Sequence, residues 1–110
     1  MEVFMEKRVL ELKAEILKAL AQPTRLKILE LLRNGEKCIC EIVPALNGEQ
    51  SNISRHISLM QKSHLVTTRK EGVRVMVKVR DTKVFEILDS ISLLLKKQIM
   101  ETRKLIQELR

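Results

Sequence analysis

Residues 50–80 read QSNISRHISLMQKSHLVTTRKEGVRVMVKVR, and the periodicity of the apolar residues changes inside that stretch. In its first part Ile53, Ile57 and Met60 recur at helical spacing, which predicts an amphipathic helix from about Gln50 to Lys62. In its last part Val73, Val75, Val77 and Val79 alternate with Arg74, Met76, Lys78 and Arg80. Period two predicts a strand with one apolar and one mainly basic face. Val66-Thr67-Thr68-Arg69 reads as its antiparallel partner, with Glu71-Gly72 at the turn. A polar helix followed at once by a basic hairpin is the second half of a winged helix-turn-helix.

Charge follows the same stretch. Residues 50–80 hold seven Lys or Arg against the single acid Glu71, so they carry +6 of the chain's formal +7. A basic surface concentrated in one segment is a footprint of polyanion binding, whereas a merely solvated surface would spread its cations. Aromatic residues are Phe4 and Phe85 alone. Single-strand and RNA readers stack bases on aromatic rings, so duplex DNA is the better fit.

Upstream, Val9, Leu12, Ile16 and Leu20 mark one stripe of a helix over 6–20. Gln22-Pro23 interrupts it, and Pro23 suits the first turn of a second helix lined by Leu26, Leu29 and Leu32. Asn34-Gly35 ends that helix, a short segment covers Cys38 to Leu46, and Asn47-Gly48 is a turn. Downstream, Phe85, Leu88, Ile91, Leu95, Ile99 and Ile106 give residues 82–109 the pattern of one long helix. That helix is too long and too apolar to be covered by so small a domain, so a second copy of the chain is expected against it. The expected fold is mainly α with a small β-hairpin, a winged helix-turn-helix dimeric through its N- and C-terminal helices. Residues 1–110 form one domain: 1–20 a dimer helix, 38–63 the helix-turn-helix, 65–80 the wing and 82–109 the second dimer helix.

On the fourth helix the exposed side is expected to offer Gln50, Ser51, Asn52, Ser54, Arg55 and His56 to the major groove. Asn and Gln pair bidentately with adenine and Arg with guanine. Arg69, Lys70 and Arg74 flank the hairpin tip, where they would grip phosphates or reach the minor groove. His64 lies just beyond the helix end, and local capping or DNA contact suits it and His56 better than metal binding. The first twenty residues are too charged for a signal peptide and no run is long enough to span a membrane, so a reducing cytoplasm is expected.

Cys38-Ile39-Cys40 admits two readings. On a regular helix residues two apart point roughly 200° apart and could not share an ion. Pro44 would clash inside a helix, which places the helix start near Cys40 or Glu41 and leaves Cys38 to Cys40 as an extended lead-in. Two thiolates then face one side and form a chelate for a soft ion. The competing pattern Ile39, Ile42, Val43, Leu46 extends the helix back through the cysteines, which would then be small buried or incidental thiols. Spacing alone does not choose between them.

From about Leu17 to Arg80 the chain resembles the ArsR/SmtB family of metal-responsive repressors. The resemblance is carried by Leu20-Ala21-Gln22-Pro23-Thr24-Arg25-Leu26, by Cys38-Ile39-Cys40-Glu41-Ile42 and by Gln50-Ser51-Asn52-Ile53-Ser54-Arg55-His56-Ile57. It implies a homodimer that binds double-stranded operator DNA, blocks transcription and is released by a metal or metalloid. Cys38 and Cys40 match the arsenic-responsive branch's Cys-x-Cys pair, which implies trivalent arsenic or antimony as effector and no required cofactor. The chain departs from the family in several places. The last helix has no His for a zinc site, no Cys lies near the N-terminus, no third thiol follows the pair, Val75, Met76 and Val77 replace wing aromatics, and Glu49 stands where Ser or Thr often caps the recognition helix.

Two other readings remain. DNA binding with redox-switching or structural cysteines keeps the basic segment, whereas a helical interaction module leaves it unexplained. Enzymatic activity is not expected: there is no phosphate-cradling loop, no nucleophile–base pairing, and only three glycines.

Overall fold

The computed structural model describes residues 2–109. Helix α1 (Glu2–Leu20) starts earlier than its apolar stripe suggested and leads into α2 (Pro23–Leu31). The break is a cap: the Gln22 side chain accepts from the Arg25 amide at 2.9 Å and Pro23 fills a first-turn position that needs no N–H. A 3-10 turn, Leu32–Asn34, follows, and Gly35 closes it with φ 127°, a conformation that glycine adopts without strain.

A two-residue strand that periodicity cannot register comes next, β1 (Lys37–Cys38), and then α3 (Ile39–Ala45). Two expectations are corrected here. The helix begins at Ile39, so only Cys38 is extended and Cys40 lies in the first turn. Pro44 sits inside α3 rather than in its first turn. The start is set by capping: Cys38 Sγ accepts from the Cys40 amide at 3.0 Å, and Glu41 Oε1 accepts from the Cys38 amide at 3.2 Å. Pro44 leaves the Cys40 carbonyl without a helical donor, which is tolerable in a seven-residue helix where both residues are exposed to water.

The turn into α4 (Gln50–Lys62) is a left-handed cap at Asn47 (φ 50°), whose amide donates to the Pro44 carbonyl at 3.1 Å, while the Gly48 amide donates to Val43 at 3.0 Å. A Cβ on Gly48 would lie 3.0 Å from the Ile53 side chain, so glycine lets this turn close on α4. The far end of α4 repeats the device with His64 (φ 61°): the His64 amide donates to Gln61 at 3.0 Å and the Leu65 amide to Met60 at 2.9 Å.

Strands β2 (Val66–Glu71) and β3 (Arg74–Val79) pair from Val66↔Val79 to Glu71↔Arg74. The turn is therefore Gly72-Val73, one residue later than expected, and Val73 is fully exposed instead of lying on an apolar strand face. The hairpin is also part of a larger sheet of order β1-β3-β2, with Cys38 opposite Met76. Met76, expected on the basic face, is buried where β1 joins the sheet.

The core gathers Ile28 and Leu29 of α2, Ile42 of α3, Ile53 and Met60 of α4, and Val77 of β3, all essentially inaccessible. Helix α5 (Lys83–Glu108) is joined to the core by Val84 and Leu88, and Arg33 anchors it further. The Arg33 guanidinium lies 4.9 Å from the Phe85 ring centroid, 2.9 Å from Glu30 and 3.1 Å from Asp89. Beyond Leu88 the stripe Ile91, Leu95 and Ile99 is about half exposed, and α1 leaves Val9, Leu12 and Ile16 open in the same way. Among the described residues no helix is long and apolar enough to cross a membrane.

Candidate nucleic-acid interface

Helix α4 is held by one face and presents the other. Ile53, Ile57 and Met60 are buried, which leaves Gln50, Ser51 and Arg55 exposed and Asn52 and Ser54 half-buried on the outer side. Glu49 caps the helix by backbone only, so no side chain competes for the first-turn amides that suit a phosphate. Arg55 Nη2 donates to Asn52 Oδ1 at 3.1 Å, which sets a guanidinium and an amide, the groups able to pair bidentately with guanine and adenine, along one edge.

His56 is not on that edge. It is 7 % exposed, and its Nδ1 accepts from Arg25 Nε at 3.2 Å while Arg25 Nη1 donates to the Ala19 carbonyl at 3.3 Å. His56 therefore locks α2 to α4 and does not face the groove. The sequence held the signal: Ile53, His56, Ile57 and Met60 stand at i, i+3, i+4 and i+7, so His56 belongs to the buried stripe. Arg25 had no such signal, because its partner lies 31 residues away.

Burial, reinforced by the charges of Arg25 and Arg55, holds the His56 pKa below its ordinary value of 6.5. The ring is neutral at pH 7, as an Nδ1 acceptor must be. The unfolded chain takes up this proton near the ordinary value and the folded chain resists it, so stability is lost as pH falls below about 6.5. Thermal unfolding at pH 7.5 and 5.5 should show a lower Tm at the acid end, and His56→Gln should reduce that difference. An undiminished difference in the variant would assign the pH dependence to other groups.

At the wing the cations are partly engaged. Arg69 Nη2 is 2.6 Å from Glu36 and 3.0 Å from Glu71, and Arg74 Nη2 is 3.1 Å from Glu41. Arg69 holds the Glu36 carboxyl below its ordinary pKa, and Glu36 in turn raises that of Arg69. Lys70 is exposed and has no ion pair among the described residues, while Arg80 Nη1 lies 3.1 Å from His64 Nδ1. A phosphate that met Arg69 would compete with Glu36 for its guanidinium. Glu36→Gln should therefore tighten binding to duplex DNA by about two- to fivefold, the scale of an exposed ion pair, in a gel-shift titration. Unchanged or weaker binding would mean that Arg69 does not meet the backbone.

Beside this face stands the cysteine pair. Cys38 is buried and Cys40 exposed, and the structure joins their sulfurs across Cα atoms 5.0 Å apart. Glu41 Oε1 connects the pair to the wing, since it accepts from both the Cys38 amide and Arg74 Nη2. A cleft of about 460 Å³ opens between the cysteines, Gln50 and Ser54 of α4, and the wing tip at Val73–Val75. Among the described residues no cluster of three or more His, Cys, Asp or Glu is placed to hold a metal ion. Joined to each other, the two sulfurs are not free donors, and two thiolates would not by themselves complete a tetrahedral zinc site.

Residues 22–68 match the family described as bacterial regulatory protein, arsR family. An uncharacterized HTH-type transcriptional regulator of Methanocaldococcus jannaschii is 43 % identical over 76 residues, which cover 68 % of this chain and 85 % of that one. The arsenical resistance operon repressor of Staphylococcus xylosus is 39 % identical over 77 residues, 70 % of each chain. Two solved structures superpose with a TM-score of 0.78. Rv0081 of Mycobacterium tuberculosis is 26 % identical, with 86 % of this chain and 95 % of that chain covered. The other, a homodimeric winged helix-turn-helix DNA-binding domain from Mycobacterium bovis described as a possible ArsR-family regulator, is 25 % identical, with 87 % and 89 % covered.

Proposed function

The chain belongs to the ArsR family of bacterial regulatory proteins, and from that premise we propose a DNA-binding transcriptional repressor that trivalent arsenic or antimony releases through Cys38 and Cys40. It acts as a homodimer in the cytoplasm, where thiols stay reduced. The open apolar faces of α1 and α5 support the dimer, as does the homodimeric state of the M. bovis relative. Gln50, Ser51, Asn52, Ser54 and Arg55 read base edges, and Arg69, Lys70 and Arg74 grip the backbone.

The observation that carries the sensor reading is the position of Glu41. It caps the cysteine segment through the Cys38 amide and pairs with Arg74 of the wing. A ligand on the sulfurs that shifts this cap also shifts a phosphate-binding cation. An effector releases DNA only if it binds the DNA-free conformation better than the DNA-bound one. Two reading heads must meet half-sites about 34 Å apart, so a small change at each head loses contacts at both.

The test uses reduced full-length protein on a duplex selected from random sequence, followed by fluorescence anisotropy. Arsenite should release the parent, whereas the Cys38→Ser, Cys40→Ser double variant should stay bound at the same arsenite concentration. Equal release of both proteins would sink the sensor reading. A second reading, a thiol–disulfide switch, is favoured by the joined sulfurs of the structure. Release by peroxide, with no response to arsenite, would select it.

A further inference from the structure

We propose that Arg25 and His56 are positioning residues for DNA reading: they fix the recognition helix α4 against α1, the helix of the dimer face, and a proton on His56 Nδ1 opens that join. This rests on DNA reading by α4 and on the homodimer, and it is independent of the cysteine pair.

Arg25 ties three helices together. It stands in the first turn of α2, where the Gln22 side chain accepts from its amide at 2.9 Å. Its Nε donates to His56 Nδ1 of α4 at 3.2 Å, and its Nη1 donates to the Ala19 carbonyl of α1 at 3.3 Å. The Ala19 carbonyl needs that donor. Ala19 is buried, and the residue four places on, whose amide would bond to it in a continuing helix, is Pro23, which has no N–H. The break between α1 and α2 therefore leaves an acceptor that Arg25 fills, and the same guanidinium reaches α4. Among the described residues His56 is the single buried polar side chain. A satisfied polar join inside apolar packing selects one geometry where apolar contacts alone tolerate sliding.

That geometry links the two surfaces a dimeric reader needs. Helix α1 leaves Val9, Leu12 and Ile16 open for a second copy, and α4 carries Gln50 to Arg55. In a dimer the angle between these helices sets where each reading edge falls, and half-sites about 34 Å apart tolerate little error.

The join requires a lone pair on His56 Nδ1. A proton there turns the acceptor into a donor and sets a second positive charge beside the guanidinium. Arg25 from α2 and Arg55 from α4 are the charged groups that bear on the ring, and α1 brings the Ala19 carbonyl, so no acid among the described residues offsets the proton. An α4 free to tilt takes up this proton more readily than one held on DNA. Acid therefore favours the DNA-free form, and operator affinity falls as pH falls.

The experiment measures anisotropy Kd values of the reduced full chain for a duplex selected from random sequence and for a shuffled duplex, at pH 7.0 and 5.5 and fixed ionic strength. The ratio of the two Kd values is the selectivity. Loss of folded protein weakens both duplexes alike and leaves that ratio unchanged, whereas misplaced reading edges lower it. The parent's selectivity should fall at least about fivefold at pH 5.5. His64→Asn should show the same fall, because the chain has two histidines and His56 is then its one imidazole. In His56→Gln the change should be less than about twofold. Arg25→Lys, which keeps the charge without the fork, should lie at least about fivefold below the parent already at pH 7.0. A fall that persists in His56→Gln, parental selectivity in Arg25→Lys, or no fall in the parent and His64→Asn overturns the proposal. Circular dichroism at each pH checks folding, and if His56→Gln does not fold, the His64→Asn profile decides. A parent that binds neither duplex at pH 7.0 overturns DNA reading itself.

Discussion

Raising sodium chloride from about 50 to about 200 mM should weaken operator binding by about a thousandfold. In the proposed dimer the two wings bring Arg69, Lys70 and Arg74 twice, six cations that would meet phosphates. Neutralising six phosphates on a B-form duplex releases their condensed counterions and gives a slope of log K against log salt of about −5. Two of the three cations on each wing start out paired, Arg69 with Glu36 and Glu71, and Arg74 with Glu41. These pairs are about half exposed except at Glu36, so phosphate replaces them at modest expense. Anisotropy titrations at five salt concentrations give the slope. Lys70→Ala should make it shallower by about two for the dimer, because one contact per subunit is lost. A slope near zero would remove the wing from the interface.

Replacing Ile53 by alanine should destabilise the fold by about 2–5 kcal/mol, as deletion of a buried aliphatic side chain does when the site cannot collapse. Ile53 is fully buried on the inner face of α4, and the Gly48 turn closes directly upon it. It seats the helix that carries Gln50 to Arg55, so its loss also loosens the alignment of the edge proposed to read bases. Urea unfolding measures the loss. Leu59→Ala on the same helix is the control: Leu59 is 39 % exposed, and its truncation should be mild. Equal effects at the two positions would contradict the assigned faces of α4.

The elements that were legible in the sequence are those whose signal is local. Helix α4 and the hairpin follow from a change of period, and the Gln22-Pro23 break from cap chemistry that needs only the four residues from Gln22 to Arg25. Strand β1 was not legible, since two residues have no periodicity and its partner Met76 lies 38 positions away. Met76 and Val73 were misplaced for related reasons. A third strand buried the first, and a turn one residue later exposed the second. Pro44 misled differently: its steric rule is sound, but a seven-residue helix whose Cys40 and Pro44 are exposed to water bears the loss that a long buried one would not.

Within residues 50–80 the division into a polar helix and a basic hairpin was settled by the sequence alone, because side-chain period and charge are properties of the chain itself. The tertiary structure decided which of those side chains are available. It gave the inward-facing His56 its partner Arg25, tied Arg69 to Glu36 across 33 residues, and brought Arg74 to Glu41, the local cap of the Cys38 amide. The contacts of Arg25 with His56, Arg69 with Glu36 and Arg74 with Glu41 join groups 31 to 33 positions apart in sequence. Such partners depend on how the elements pack together, which the periodicity of one element does not encode.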